Sequence, residues 1–440
     1  MVSRPRGGAV AGVAAALCVL LLPSVAAAHP RSDDAPGGAV PSYRSADGAV
    51  PVVGTASSAD GPQLERAKVY SDTISPGQKK YYRVRLDDTS SAFVSTVLAP
   101  PPGSRSDILD GIQVSLVSTD GMSCGSSPAI YFGGETARPI AGYAARRIGD
   151  SSLPCQEAGD YFYTVAWAGS KTGGTAKWPI ELTYMAEPGL KPGAAEPEAP
   201  TGWSSKAPSA GEGKSSRKVS GGTGFNDAAA VDEGAWRDDI RPGESRFYRV
   251  PVAWGQQLFL RARLANTTSD GSFFAANGLR LALYNTARGR VSDKSTGYTG
   301  APAGVDLGTA PAAYANRFEG DSDAESAMRF QGWYYVQVSL DPKVPGSVPL
   351  TLDVGIEGAA QQGPPYDGDA AAAGFGLGDA DGTSSGTSGS MRALGFTGIG
   401  VGTVLVLGLG TWHLLSRRRR PAEGRADAGL STAGDRPFRP

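Results

Sequence analysis

The chain has 440 residues, a formal charge of −1 from 42 basic and 43 acidic side chains, and 61 glycines and 32 prolines. This much turn-forming material, with 19% charged residues, excludes a coiled coil or a long helical bundle, and the charge balance argues against a nucleic-acid-binding protein. Because the chain has two histidines and three cysteines, most catalytic triads and zinc sites lack their side chains. We therefore expect no enzyme, no catalytic or metal-binding residues and no cofactor.

The N-terminus has the pattern of a secretory signal peptide. Arginines near the start precede an apolar run at 9–22, and small residues at 26–28 indicate the cleavage site. We therefore predict a signal peptide at 1–28. Residues 29–60 are low in apolar side chains, and we expect them to form a disordered N-terminal segment.

Two stretches of the chain repeat each other. Residues 70–84 and 236–250 are identical at seven of fifteen positions, and three further blocks recur in the same order at offsets between 166 and 173 residues. Repetition in order over this distance indicates duplication of a whole domain. We therefore predict two similar domains, at 61–186 and 223–358.

The repeated blocks have the pattern of half-buried β-strands. Apolar and polar residues alternate after a Pro-Gly pair, so each strand should bury one face. In the second copy this places Tyr248 inward and Phe247 outward. We predict two tandem antiparallel β-sandwiches, jelly-roll-like in form, with a tight turn at each Pro-Gly pair. The repeat-matched turn residues are Asp72, Pro76, Gly77, Asp238, Pro242 and Gly243.

Three features recur in both copies: the Pro-Gly turn, a Tyr/Phe-Tyr-Arg-Val strand after it, and a late strand that begins with Gly and is rich in aromatic residues. Together they resemble the bacterial pre-peptidase C-terminal domain family. The resemblance implies small jelly-roll-like sandwiches that serve secreted and surface proteins in maturation, binding or adhesion. The chain differs from the commoner form in having Lys79-Lys80 and Ser245-Arg246 where an acidic pair follows the turn. The overall layout also resembles single-pass surface proteins of actinobacteria.

The C-terminal part has the pattern of a membrane anchor. Residues 393–415 are uncharged and mostly apolar, which is long enough to span a hydrocarbon core of about 30 Å. Four arginines follow at once, so we predict an extracellular ectodomain, one transmembrane helix at 393–415 and a basic cytoplasmic tail at 417–440. Segments rich in Pro, Gly, Ala and Ser at 187–222 and 359–391 are predicted to be a flexible linker and a stalk.

The side chains available for chemistry in the ectodomain are few. Cys124 and Cys155 remain after removal of the signal peptide, and in an oxidising compartment we expect them to form a disulfide. Asp72 and Asp238 occupy matched positions, one in each copy. There we expect the carboxylate to cap backbone amides of the turn rather than to act as a catalytic acid.

Tryptophans in or beside the strands have two interpretations, a platform that stacks on sugars or filling of the sandwich core. They are Trp167, Trp178, Trp254 and Trp333. Phe259 with Arg261 and Arg263 forms an alternative strip that faces a partner. Acidic clusters at 321–325 and 379–382 have some ligands of a weak calcium site, but neither has a full ligand loop.

These features predict a single-pass cell-surface protein with a non-catalytic function. We interpret its ectodomain as a protein-interaction or scaffold module at the cell envelope, with an envelope protein as partner. The alternative is a module that binds cell-envelope or external polysaccharide, and a carboxylate-based hydrolase comes third. No nucleic-acid partner is expected.

Overall fold

Strands dominate the part of the chain that the structure, a computed structural model, describes. The described residues are 39–149, 153–169, 176–195, 197–198, 200–204, 216–267, 272–320 and 322–377. Among them the mainly β fold is as predicted, and the helices are single turns, α1 (Asn316–Glu319) and α2 (Asp323–Ser326). No helix in these ranges is long and apolar enough to cross a membrane. The predicted signal peptide, span at 393–415 and tail lie outside them.

The first half of the described chain forms two sheets with one shared core. Its strands are β1 (Val50–Pro51), β2 (Gln63–Leu64), β3 (Val69–Ile74), β4 (Lys79–Leu86), β5 (Ser91–Leu98), β6 (Gly111–Ser118), β7 (Ser123–Ser126), β8 (Ile130–Tyr131), β9 (Ile140–Arg146), β10 (Gly159–Ala168) and β11 (Trp178–Glu187). Hydrogen bonds order them as β1-β3-β11-β5-β9 and β2-β4-β10-β6-β7, with β8 beside β6. Inward residues of both sheets, including Tyr82 and Val84 as predicted, form one apolar cluster, which makes this unit a β-sandwich.

The second half repeats this arrangement. Its strands are β12 (Arg217–Lys218), β13 (Ala229–Ala230), β14 (Gly234–Ile240), β15 (Ser245–Val252), β16 (Gln257–Leu264), β17 (Ala275–Tyr284), β18 (Arg290–Tyr298), β19 (Ala303–Gly308), β20 (Gly332–Leu340) and β21 (Val348–Glu357). Their order is β12-β14-β21-β16-β19 and β13-β15-β20-β17-β18. With β8 set aside, each strand occupies the same place as its counterpart in the first sandwich, so the two units share one topology.

The Pro-Gly turns have the geometry that their residues predict. Gly77 and Gly243 have φ angles of +75° and +76°, and each turn closes with a backbone hydrogen bond, from Gln78 to Ser75 and from Glu244 to Arg241. Pro at the second position and a left-handed Gly at the third define a type II turn. Each turn therefore delivers the chain directly into the strand that follows, β4 or β15.

We expect the substitution Gly243→Ala to lower the free energy of unfolding by about 1–2 kcal/mol, because an L residue is strained at this positive φ angle. Urea unfolding of the purified protein measures the change. The matched control is Gly346→Ala, where a Cβ meets no atom within 4 Å and φ is not positive. Equal stability of the two variants would contradict the turn assignment.

The two sandwiches pack directly against each other. Every residue of strand β5 is buried, although a strand of a sandwich with one face in solvent would expose alternate residues. Its inward residues lie in the first core, whereas Phe93 and Val97 point outward and contact residues of the second sandwich. Phe247 likewise points outward from its own sandwich, as predicted, but is fully buried in a cluster with Phe225 and with Val97 and Ala141 of the first sandwich. The alternation rule treated each outward face as solvent-exposed, and here a second unit covers it.

Both segments that flank the sandwiches are ordered where the structure describes them. The N-terminal segment was predicted to be disordered, but Val50–Pro51 pairs with β3 and Tyr43 contacts Phe247 edge to face. In the predicted stalk, Phe375 lies in an apolar cluster with Phe93. Aromatic anchors fix these segments although their composition is otherwise typical of disorder.

Candidate functional site

The matched aspartates, Asp72 and Asp238, bond the segment that precedes each sandwich to strand β3 or β14. Asp72 lies within β3, not at the turn, and its carboxylate accepts hydrogen bonds from the Gly54 amide at 2.8 Å, the Tyr82 hydroxyl at 2.7 Å and the Lys80 ammonium at 2.7 Å. Burial, then the charge of Asp72, raises the pKa of Tyr82. A Cβ at Gly54 would collide with the Tyr82 ring.

The second sandwich repeats this arrangement. Asp238 accepts from the Gly221 amide and the Tyr248 hydroxyl, both at 2.7 Å. The carboxylates thus cap backbone amides, as predicted, but those of a distant segment rather than of the turn. Since each carboxylate is saturated by donors, this geometry supports a structural role.

Cys124 and Cys155 form the predicted disulfide, with a Cα–Cα distance of 5.4 Å. The bond ties β7 to the loop before β10 and closes a loop of 31 residues. Replacing both cysteines with alanine is expected to lower the free energy of unfolding by about 3 kcal/mol. Urea titrations of the variant and of the native protein test this. An unchanged midpoint would show that the bond does not stabilise the fold.

The four tryptophans do not form a common platform. Trp167 and Trp178 are buried in the first core and meet edge to face at 5.2 Å between ring centroids. Trp254 is also buried, at 6% exposure. Trp333 is half-buried and carries the Arg249 guanidinium over its ring, 4.3 Å from the centroid. The placement of Trp167 and Trp178 therefore matches the core interpretation, whereas Trp254 lies outside the core cluster of its sandwich and next to Gly363.

The alternative strip on β16 is occupied by ion pairs. Phe259 is 4% exposed, while Arg261 and Arg263 bond Asp306 and Asp353 on the neighbouring strands. In the acidic cluster at 321–325, Asp323 and Glu325 lie in α2 with Ser322 as its N-cap. Among the residues that the structure describes, no group of three or more His, Cys, Asp or Glu side chains is placed to hold a metal ion.

Two buried glutamates of β11 fasten the first sandwich to the second. The carboxylate of Glu187 accepts hydrogen bonds from both terminal nitrogens of Arg317, at 2.8 and 2.9 Å. The side chain of Glu187 is 0% exposed and that of Arg317 is 1% exposed. The hydroxyl of Tyr366 donates to the same carboxylate at 2.5 Å. Burial alone would lower the pKa of Arg317, but the charge and hydrogen bonds of Glu187 leave it above its ordinary value.

The second clamp is similar. Glu181 forms an ion pair with Arg288 and accepts hydrogen bonds from the side-chain amide of Asn226 at 3.0 and 3.1 Å. From the N-terminal segment, the Tyr43 hydroxyl and the Ala46 backbone amide also donate to Glu181. Charges this deeply buried are tolerated only when fully paired. The two sandwiches are therefore joined by buried ion pairs as well as by apolar contacts.

An apolar turn projects from one end of the first sandwich. Between Asp107 and Asp110 the chain makes a β-turn, closed by the Asp110 amide on the Asp107 carbonyl at 3.0 Å and by the Asp110 carboxylate on the Asp107 amide at 2.9 Å. Ile108 and Leu109 fill the central positions and are 65% and 61% exposed. These positions normally hold Gly, Asn, Asp or Pro.

Tyr131 extends this apolar surface. It pairs with Gly111, two residues after Leu109, and is 42% exposed. The turn is also bonded to the core, since the Asp110 carboxylate accepts a hydrogen bond from the Trp167 indole at 3.4 Å. We call Ile108, Leu109 and Tyr131 the apolar tip. The apolar tip is not among the sites predicted from the sequence, although an Ile-Leu pair framed by Asp in a loop is a detectable signal.

Comparison with known proteins assigns no family to the chain. No family model matches the chain, and no curated protein matches it. Solved structures similar to it include the pre-peptidase C-terminal domain of a collagenase from Bacillus anthracis, 11% identical, covering 28% of this chain and 94% of that one at a TM-score of 0.19. The CBM22-1–CBM22-2 tandem domain of Xyn10C from Paenibacillus barcinonensis is 10% identical. The match covers 66% of this chain and 93% of that one, at a TM-score of 0.18.

The ANX1 ectodomain from Arabidopsis thaliana is 9% identical and covers 69% of this chain and 92% of that one, at a TM-score of 0.17. Similarity this low carries no argument about ligand or activity. The assignment of a site therefore depends on the geometry of the chain itself.

Proposed function

We propose that the protein is a non-catalytic interaction module, held outside the cell by its C-terminal span, which binds an envelope protein through the apolar tip. The observation that carries the proposal is the exposure of Ile108 and Leu109 on a rigid turn. Holding apolar side chains in water costs stability, and such surfaces mark sites of protein contact. The resemblance of the repeats to pre-peptidase C-terminal domains, which serve binding or adhesion, supports the same conclusion.

A protein partner fits the tip better than a polysaccharide does. Sugar rings stack on flat aromatic faces, whereas Ile108 and Leu109 are branched aliphatic side chains that fit into apolar pockets. Trp167 and Trp178, two of the candidates for stacking on sugar, lie in the core behind the turn. The clamped sandwiches give the tip a fixed base, which limits the entropy lost on binding.

The test is saturable binding of the purified ectodomain, residues 29–391, to isolated cell envelopes. We expect binding to be lost when the envelopes are treated with protease and to survive digestion of their polysaccharide. The double substitution Ile108→Ser/Leu109→Ser should weaken binding about tenfold or more, in keeping with the loss of buried apolar anchors. Met122→Ser is the matched control, since Met122 is 50% exposed on a different turn.

Two results would contradict the proposal. Binding that resists protease and is competed by soluble polysaccharide would favour the polysaccharide-binding alternative. Equal binding by the double variant and the native ectodomain would show that the apolar tip is not the contact.

A further inference from the structure

The two sandwiches enclose a cleft at their boundary. Residues 132–138 of the first sandwich form one wall, and residues 243–245 with the ends of β17 and β20 form the other. The cleft opens to solvent, and the empty space of about 470 Å³ between its walls includes the solvent at its mouth. This is room for a small group rather than for a folded partner.

Guanidinium groups from both sandwiches line this cleft. Arg138 comes from the first and donates to the carbonyl of Phe132. Arg280 comes from the second and lies against Gly133, where a Cβ would be 3.5 Å from its terminal nitrogen. Arg280 bonds Asp293 at 3.2 Å, and the same carboxylate holds Arg290 at 3.1 Å. Asp293 and Arg290 lie beside the cleft rather than in its lining, so Arg138, Arg280 and Arg290 are three cations near one carboxylate.

The other acidic residues of the lining have partners of their own. Glu244 is buried and pairs with Arg246 at 3.1 Å, and Glu135 pairs with Lys343 at 3.5 Å. Asp341 accepts from the Lys343 amide at 2.8 Å. Asp341 keeps its negative charge, since its partner is an amide. The three guanidinium groups near Asp293 therefore outnumber the two carboxylates beside them, those of Asp293 and Asp341.

Burial and the nearby charge of Arg280 lower the pKa of Arg138 to about 10. Like charges brought together across a domain boundary repel, most strongly where water is excluded. A guanidinium offers its donors as a planar fork, which matches the two oxygens of a carboxylate, sulfate or phosphate group.

We propose that this cleft is a binding site for an oxyanion, held between Arg138 of one sandwich and Arg280 of the other. The ligand is a sulfate, phosphate or carboxylate group, either free or carried by an acidic saccharide. The bound group would cancel the repulsion between the two guanidiniums and bridge the domain boundary. The site uses different residues from the apolar tip, so it does not depend on the function proposed above.

Equilibrium dialysis of the full-length protein against radiolabelled sulfate tests the site at constant ionic strength, and a uronic acid oligosaccharide is added as competitor in a second arm. We expect saturable binding that weakens at least about tenfold in Arg138→Gln and in Arg280→Gln, as expected for loss of a charge-assisted fork. Arg261→Gln, an exposed arginine on the far sheet, should bind as the native protein does. Competition by the oligosaccharide would assign the group to a saccharide carboxylate, and its absence to a free ion.

Thermal unfolding gives a second readout. Without sulfate, Arg138→Gln should be as stable as the native protein or more so, because the substitution removes the repulsion. Sulfate should raise the midpoint temperature of the native protein more than that of Arg138→Gln. Because the general stabilising effect of sulfate acts on both proteins, the difference between them reports specific binding. Absence of saturable binding, or equal binding by both glutamine variants and the native protein, would overturn the proposal. Should Arg138→Gln fail to fold, Arg280→Gln decides the outcome.

Discussion

Replacing Arg317 with methionine is expected to lower the free energy of unfolding by about 3–5 kcal/mol, because Glu187 would be left charged and buried without its partner. The double variant Arg317→Met/Glu187→Met should recover most of this loss, since it removes both charges and keeps apolar volume between the sandwiches. Urea titrations of the full-length protein, followed by near-ultraviolet circular dichroism, measure both changes.

Arg261→Met is the control for this pair. Arg261 and Asp306 form an ion pair in which both side chains are about half exposed, and such pairs contribute about 0–1 kcal/mol. If the double variant were as unstable as Arg317→Met, the loss of stability would come from removing the ion pair itself and not from leaving Glu187 buried without a partner. A single variant as stable as Arg261→Met would show that the Glu187 clamp is not closed in solution.

The substitution Phe93→Ala is expected to cost about 3–5 kcal/mol and to uncouple the two sandwiches. The Phe93 ring is 1% exposed and lies 4.9 Å from Phe330 of the second sandwich and 5.7 Å from Phe375, centroid to centroid. It points away from the core of its own sandwich, so the cavity forms at the domain boundary. Calorimetry should then resolve two transitions in place of one.

Phe274→Ala provides the comparison. Phe274 is 67% exposed, and a surface substitution of this kind changes stability by about 0.5 kcal/mol or less. If Phe93→Ala behaved in the same way and kept a single transition, the sandwiches would not be joined through this face.

The sequence predicts the inside of each sandwich better than the outside. Inward positions such as Tyr82 and Tyr248 follow from local alternation, and the Pro-Gly turns follow from the φ angles that these residues permit. Local patterns cannot show which outward face meets another unit more than 100 residues away along the chain. Comparison of the copies holds the missing signal, since outward Val97 of β5 corresponds to Arg263 of β16.

The same limit applies to the candidate sites. The disulfide was predictable because two cysteines leave one pairing. The cleft of Arg138 and Arg280 was not, because its walls come from different sandwiches and form only when these dock. The order of the terminal segments depends on a few aromatic residues, Tyr43 and Phe375 among them, which average composition conceals.

The way the sandwiches dock also bears on the self-association of this protein. The first presents the sheet that contains β5, the second the sheet that contains β15, so unlike surfaces meet. A head-to-tail contact of this kind has no symmetry to close it, and further copies could add in a growing filament. At the free end of the second sandwich, the position that matches Val97 holds Arg263, which bonds Asp353. At the free end of the first, the position that matches Phe247 holds Tyr81, which lies between the exposed Lys79 and the half-exposed Arg83. Polar residues at both ends should therefore disfavour the addition of further copies.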